Sequence, residues 1–199
     1  MLHWAERDGW AHFYLYDTDG NLKNQVTEGD YHVASFEGLD EKSNTLYFSA
    51  NGVNKEQDPY YAHSYKINLD GTGMKNLNPG DFTTSTSMSD SNKYFISNFS
   101  RVNTVPKSEL RNANGRKVMD LETADLSQLF ASGYKFPETF KVKADDGITD
   151  IYGVMYKPFD MDSTKVYPLL EYVYPGPQTE AVNKSFSYSM DRVDRMAQV

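Results

Sequence analysis

The residues with the clearest chemical potential run from Tyr167 to Gln178, YPLLEYVYPGPQ. Leu169, Leu170, Val173 and Tyr174 make a short apolar and aromatic run that stops at Pro175-Gly176-Pro177. A run of this length bounded by Pro and Gly reads as a strand buried on both faces, the kind found in parallel sheets covered by helices. Proline cannot donate to a ladder and glycine turns sharply, so the chain is expected to leave the sheet there. Tyr174 then stands at the carboxyl end of a buried strand, the edge where open α/β sheets place their ligands. The plainer alternative makes Tyr174 an aromatic packed at a strand end.

Other chemistry is limited by what the chain lacks. Without cysteine there is no disulfide, thiolate nucleophile or Cys-ligated zinc. His3, His12, His32 and His63 show no metal-ligand spacing. Each reads as a strand or loop residue, and neither a metal nor a cofactor is expected. The net charge of −8 argues against nucleic acid as a partner, because phosphate binding needs a basic face. No apolar run approaches the roughly 18 residues of a membrane helix, so no membrane segment is expected within the chain.

The elements that must position the Tyr167 stretch begin with a repeat. Three segments share one plan of strand, tight turn closing on glycine, second strand, and a break ending in Asp. The first is His12 to Tyr16, Asp17-Thr18-Asp19-Gly20, Leu22 to Thr27 and Gly29-Asp30. The second is His63 to Ile67, Asn68-Leu69-Asp70-Gly71, Met74 to Leu77 and Gly80-Asp81. A weaker third is Pro106 to Leu110, Asn112-Ala113-Asn114-Gly115, Lys117 to Leu121 and Ala124-Asp125. Asp-Gly and Asn-Gly closings tolerate positive φ and are strong hairpin signals. Between the hairpins, Ser43 to Ser49 echoes Ser91 to Ser97, each preceded by another extended piece, Val33 to Phe36 and Thr83 to Met88. Four strands per unit with a period in the forties is the pattern of a β-propeller blade. An antiparallel sandwich with similar turns is the competing fold.

The expected fold class is therefore mainly β, with residues 1–125 holding two complete blades and the last hairpin of a third. Beyond them, Leu126, Leu129 and Phe130 lie at helical spacing within Ala124 to Ser132, predicting a short amphipathic helix. Phe136 to Val142 and Ile148 to Tyr156 then alternate as strands about Asp145-Asp146-Gly147.

Lys165, Tyr167-Pro168, Leu169-Leu170, Val173-Tyr174, Pro175 and Gly176-Pro177 together resemble the start of the catalytic domain in the prolyl oligopeptidase family of serine peptidases, most closely its dipeptidyl peptidase IV-like branch. Arg7-Asp8-Gly9-Trp10 and His12 to Tyr16 resemble the propeller edge that precedes that domain. The resemblance implies that residues 1–125 are the C-terminal blades of a partial β-propeller. Residues 126–199 would be a linker helix and the N-terminal part of an α/β-hydrolase domain. It also implies that Tyr174 donates its phenol O–H to the oxyanion hole, that the substrates are peptides with Pro or Ala second from the amino terminus, and that the protein is periplasmic or secreted.

Most of the catalytic apparatus of such an enzyme is missing from the chain. There is no G-x-S-x-G elbow and no histidine after Tyr174. Ser185, Ser187 and Ser189 alternate with aromatic and other residues without elbow glycines. The glutamate pair that binds a free amino terminus in this branch has no convincing match within Met1 to Asp125. The chain alone is accordingly expected to be inactive, and exopeptidase specificity rests on the resemblance. An oligopeptidase or acyl-peptide hydrolase relative shares the architecture, and a non-catalytic propeller module would make Tyr174 structural. Two blades and part of a third leave open edges, so either pairing as a homo-oligomer or poorly ordered ends is expected.

Overall fold

The structure, a computed structural model, describes residues 1–173 and 182–187. It divides into two compact units, one of Met1–Phe99 with Lys107–Thr123 and one of Ser100–Pro106 with Ala124–Val199.

The first unit is built from three antiparallel sheets. Strands β1 (Leu2–Ala5), β2 (His12–Tyr16) and β3 (Leu22–Gln25) form the first. Strands β4 (His32–Asp40), β5 (Thr45–Asn51), β6 (Ala62–Asn68) and β7 (Lys75–Asn76) form the second in simple meander order. Strands β8 (Thr83–Met88), β9 (Tyr94–Ser100), β10 (Lys107–Asn112) and β11 (Lys117–Thr123) repeat that order in the third. Two successive four-stranded meanders are propeller blades, and the partial β-propeller expected from the repeat is present. The partial blade carries one strand more than expected. The four residues of β1 lack a flanking hairpin signal, and the reversal into β2 runs through Gly9 at φ +93°.

Strand β5 is covered on both faces. Leu46, Phe48 and Ala50 join Phe13, Val26, Tyr31, Val33, Tyr65 and Ile67 in one buried cluster. The alternate residue Tyr47 packs with Leu77 and Phe95 in a second cluster. Phe48 is fully buried, stacked on Tyr65 at 5.7 Å and edge-on to Phe13 at 6.4 Å.

The turns repeat as closely as the strands. Gly20, Gly71 and Gly115 adopt φ of +84°, +88° and +80°, and each donates its N–H to the carbonyl of Asp17, Asn68 or Asn112. Asn44 and Asn92, which open the matching second strands, both take φ +52°, a conformation asparagine tolerates better than most residues. Gly115→Ala is expected to cost more than Gly20→Ala. A Cβ at Gly115 would stand 2.7 Å from the Leu77 carbonyl oxygen, whereas nothing lies within 4 Å at Gly20. Left-handed backbone alone costs about 1–2 kcal/mol at either site, and the clash adds to it at Gly115. Thermal midpoints of the two variants check the order, and equal shifts would contradict it.

In the second unit, helix α1 (Ser127–Ala131) is shorter than the amphipathic pattern predicted. It opens where Asp125 Oδ1 accepts the Ser127 N–H at 2.9 Å. Strands β12 (Glu138–Lys143) and β13 (Asp150–Met155) pair as the expected hairpin. Tyr134 is the buried centre of an aromatic cluster, with Phe130, Phe136, Phe159 and Phe186 at ring separations of 5.6 to 6.3 Å.

The stretch from Tyr167 departs from expectation. Residues 166–173 form no strand, and Val166, Leu169, Leu170 and Val173 are 99, 82, 61 and 62% exposed. A two-faced buried strand needs ladder partners and covering layers. Among the described residues β12 and β13 pair only with each other, and no strand is left to receive the run. Its apolar pattern states what the segment can bury, and the described residues do not supply what would bury it.

Candidate functional site

Tyr174, the residue that sequence reasoning puts in a catalytic role, lies outside the described residues, as does the rest of the run through Gln178. The segment leading to it is described as far as Val173. Tyr167 is fixed there by the Asp162 N–H, which donates to the phenol oxygen at 2.9 Å. Asp162 also accepts from Thr164 N at 2.9 Å and Thr164 Oγ1 at 2.7 Å, which tightens the turn ahead of the run and holds its carboxyl below the usual range.

The four histidines all fall on strands. His12 Nδ1 lies 3.1 Å from Thr27 Oγ1 and its Nε2 lies 2.9 Å from the Gly29 carbonyl. His63 Nδ1 bonds the Asn78 carbonyl at 3.0 Å, and burial pushes its pKa down. The two occupy the same place in successive sheets, since Phe13 N–H donates to Thr27 Oγ1 and Ser64 N–H to Asn78 Oδ1. Both tie the third strand of a blade to the break after the fourth. Among the described residues no group of histidines and carboxylates is arranged to hold a metal.

A polar cluster that sequence reasoning missed lies between the β4–β7 and β8–β11 sheets. The β4–β5 register slips between Phe36 and Gly38, leaving Glu37 as the extra residue of a bulge. Bulges turn a side chain out of the strand's alternation, and here Glu37 reaches Ser64 on β6. Ser64 Oγ donates to Glu37 Oε1 at 2.8 Å, and Thr86 Oγ1 of β8 lies 2.6 Å from the same hydroxyl. Asn78 Nδ2 faces three hydroxyls, those of Thr84, Thr86 and Ser97, at 3.1, 3.3 and 3.2 Å. Ser64, Asn78 and Ser97 are fully buried. Beside the cluster is a cavity of about 380 Å³ lined by Ser35, Glu37, Ser49, Thr84, Thr86 and Met88 among others. Glu37 Oε2 is out of reach of solvent and has no hydrogen-bond partner. Burial pushes the carboxyl up to about 7, against the lowering effect of the Ser64 bond. The available signal was a charged residue followed by glycine in the middle of an extended run, Phe36-Glu37-Gly38.

The sequence and the structure both have relatives. The family model for the dipeptidyl peptidase IV (DPP IV) N-terminal region matches residues 1–106. Dipeptidyl peptidase 4 of Arthroderma otae is 27% identical over 187 residues, covering 92% of this chain and 24% of that protein. Dipeptidyl peptidase 4 of Trichophyton equinum matches at the same identity and coverage. The crystal structure of Porphyromonas gingivalis dipeptidyl peptidase 4 superposes with a TM-score of 0.75 at 25% identity, over 98% of this chain and 27% of that one. The chain spans about a quarter of the length of the curated relatives it matches.

Proposed function

The chain belongs to the dipeptidyl peptidase IV N-terminal-region family, and on that premise we propose that it is a segment of a serine exopeptidase that releases X-Pro or X-Ala dipeptides from peptide amino termini. Residues 1–125 contribute the last propeller blades and residues 126–199 the entry to the hydrolase domain. The observation that carries this reading is the reach of the similarity. A match leaving only about a twelfth of the chain unaligned necessarily crosses Tyr167 to Gln178 and is not confined to the propeller sheets.

In this reading Tyr174 is the residue of the chain that touches the reacting atoms. Attack by a serine outside this chain would place negative charge on the substrate carbonyl oxygen. The Tyr174 phenol would donate to that oxygen beside a backbone N–H. The serine, its histidine base and the aspartate that orients it have no counterparts after Tyr174 here, and so the 199-residue chain alone is proposed to be inactive.

The test is hydrolysis of a Gly-Pro chromogenic amide by the full-length protein that carries this segment, with the N-acetylated amide beside it. The expected result is turnover of the free-amine substrate and none of the acetylated one. Equal turnover of both would replace the exopeptidase with an oligopeptidase or acyl-peptide hydrolase. Turnover of neither would leave a propeller binding module.

A further inference from the structure

One of the contacts between the two complete blades is made by a carboxyl group that has no counter-ion among the described residues. Glu37 enters the gap from a bulge in β4 and meets Ser64 from β6, and Thr86 from β8 closes the chain of hydroxyls. Among the described residues no charged side chain faces it from the elements packed there. Strand β5 offers Ser49, β6 offers Ala62 and Ser64, and β8 offers Thr84, Ser85, Thr86 and Met88. The nearest ionisable groups on β6 are engaged elsewhere. The His63 ring is bonded to the Asn78 carbonyl and packed 5.9 Å from Phe82, and Lys66 Nζ reaches Asn114.

We infer that Glu37 is a proton-operated latch between the blades, closed when its carboxyl is neutral and loosened when it ionises. With Ser64 donating to Oε1, the closed state accommodates an uncharged acid whose proton rides on the solvent-free Oε2. An anion in the same place would have one hydrogen bond and no counter-ion among the described residues, which is costly for a carboxylate oxygen shut off from solvent. The relief available is water. The adjoining cavity of about 380 Å³ is hydroxyl-lined and has room for several molecules, each taking about 30 Å³ in the liquid. Hydrating Oε2 from that side loosens the packing of Glu37 on β4 against Ser64 of β6, the hydroxyl that Thr86 of β8 also meets.

The direction with pH follows from the closed state holding its proton more tightly than the open one. Burial raises the carboxyl from 4.5 to about 7 in the closed form. The closed form's advantage is therefore complete below about 4.5, declines as pH rises, and is exhausted above about 7. Across that window, protection of the β4 and β8 amides should fall by up to about tenfold per pH unit beyond intrinsic exchange.

The experiment is hydrogen exchange read by mass spectrometry on peptides covering 32–40 and 83–88 in the full-length protein, from pH 5 to 8.5. Wild type is expected to lose local protection as pH rises to about 7 and then level off. Glu37→Gln, which is neutral at every pH and keeps the shape, should stay protected throughout. Ser64→Ala removes the donor that favours the anion, and should move the levelling-off point to higher pH. A pH-independent wild type, or identical slopes in wild type and Glu37→Gln, would overturn the latch. Neither result bears on the peptidase assignment, which the Gly-Pro assay reads separately.

Discussion

Replacing Arg111 with methionine is expected to destabilise the blade pair by about 3–5 kcal/mol, the range for stripping one partner from a buried ion pair. Arg111 and Glu109 lie two apart on β10, so their side chains share a face. Their side chains are 14 and 7% exposed. Nε and Nη2 of the guanidinium donate to Glu109 Oε1 at 2.9 and 2.6 Å. Nη1 donates to the carbonyls of Leu77 and Gly115 at 3.1 and 2.8 Å. The Leu77 bond matters most to the architecture, because it joins β10 of one blade to the chain just past β7 of the other.

Without the guanidinium, Glu109 keeps Lys117 at 3.9 Å as its one cation among the described residues, and two carbonyls lose a donor. Glu109→Gln is expected to cost less, since the amide keeps its shape and Arg111 retains both carbonyls. A Glu109→Leu/Arg111→Met double variant removes the buried charge and should recover part of the loss, leaving the two carbonyls unpaired. The thermal midpoints of Glu109→Leu, Arg111→Met and the double variant, assembled as a double-mutant cycle, measure this. Additive single effects would mean the pair is not coupled.

Such a pair could not be read from the sequence. Glu109 and Arg111 fell within or beside a strand expected to run from Pro106 to Leu110, and nothing local says that their face turns toward another blade. What was legible depended on local backbone chemistry. Gly20, Gly71 and Gly115 announced three equivalent turns because positive φ restricts the residue type. Ser43 to Ser49 and Ser91 to Ser97 stood out as matching strands by their shared residue order. These positions carried the repeat and, through it, the propeller. Strand β1 escaped because four residues without a hairpin signal give too little periodicity to see. The bulge at Glu37 escaped because a one-residue slip depends on the partner strand. The run from Tyr167 was read as a strand from composition, but a strand exists only with a ladder partner, and among the described residues no strand pairs with it.

The second large effect concerns Tyr174, the one residue of the chain proposed to act on the substrate. Its phenol differs from the phenylalanine ring by a single hydroxyl. Tyr174→Phe therefore removes a hydrogen-bond donor with little change in bulk. An interaction made with developing negative charge is absent in the ground state, so its loss falls on kcat more than on KM. One oxyanion donor is worth about 10²–10³ in kcat. A purely packing tyrosine would instead show its loss as lowered thermal stability with kcat retained.

The most direct measurement is steady-state hydrolysis of a Gly-Pro chromogenic amide by the full-length protein and its Tyr174→Phe variant, with thermal midpoints recorded alongside. The account predicts a kcat lower by at least about a hundredfold, at nearly unchanged KM and midpoint. An unchanged kcat in the phenylalanine variant would contradict it and return Tyr174 to a structural role.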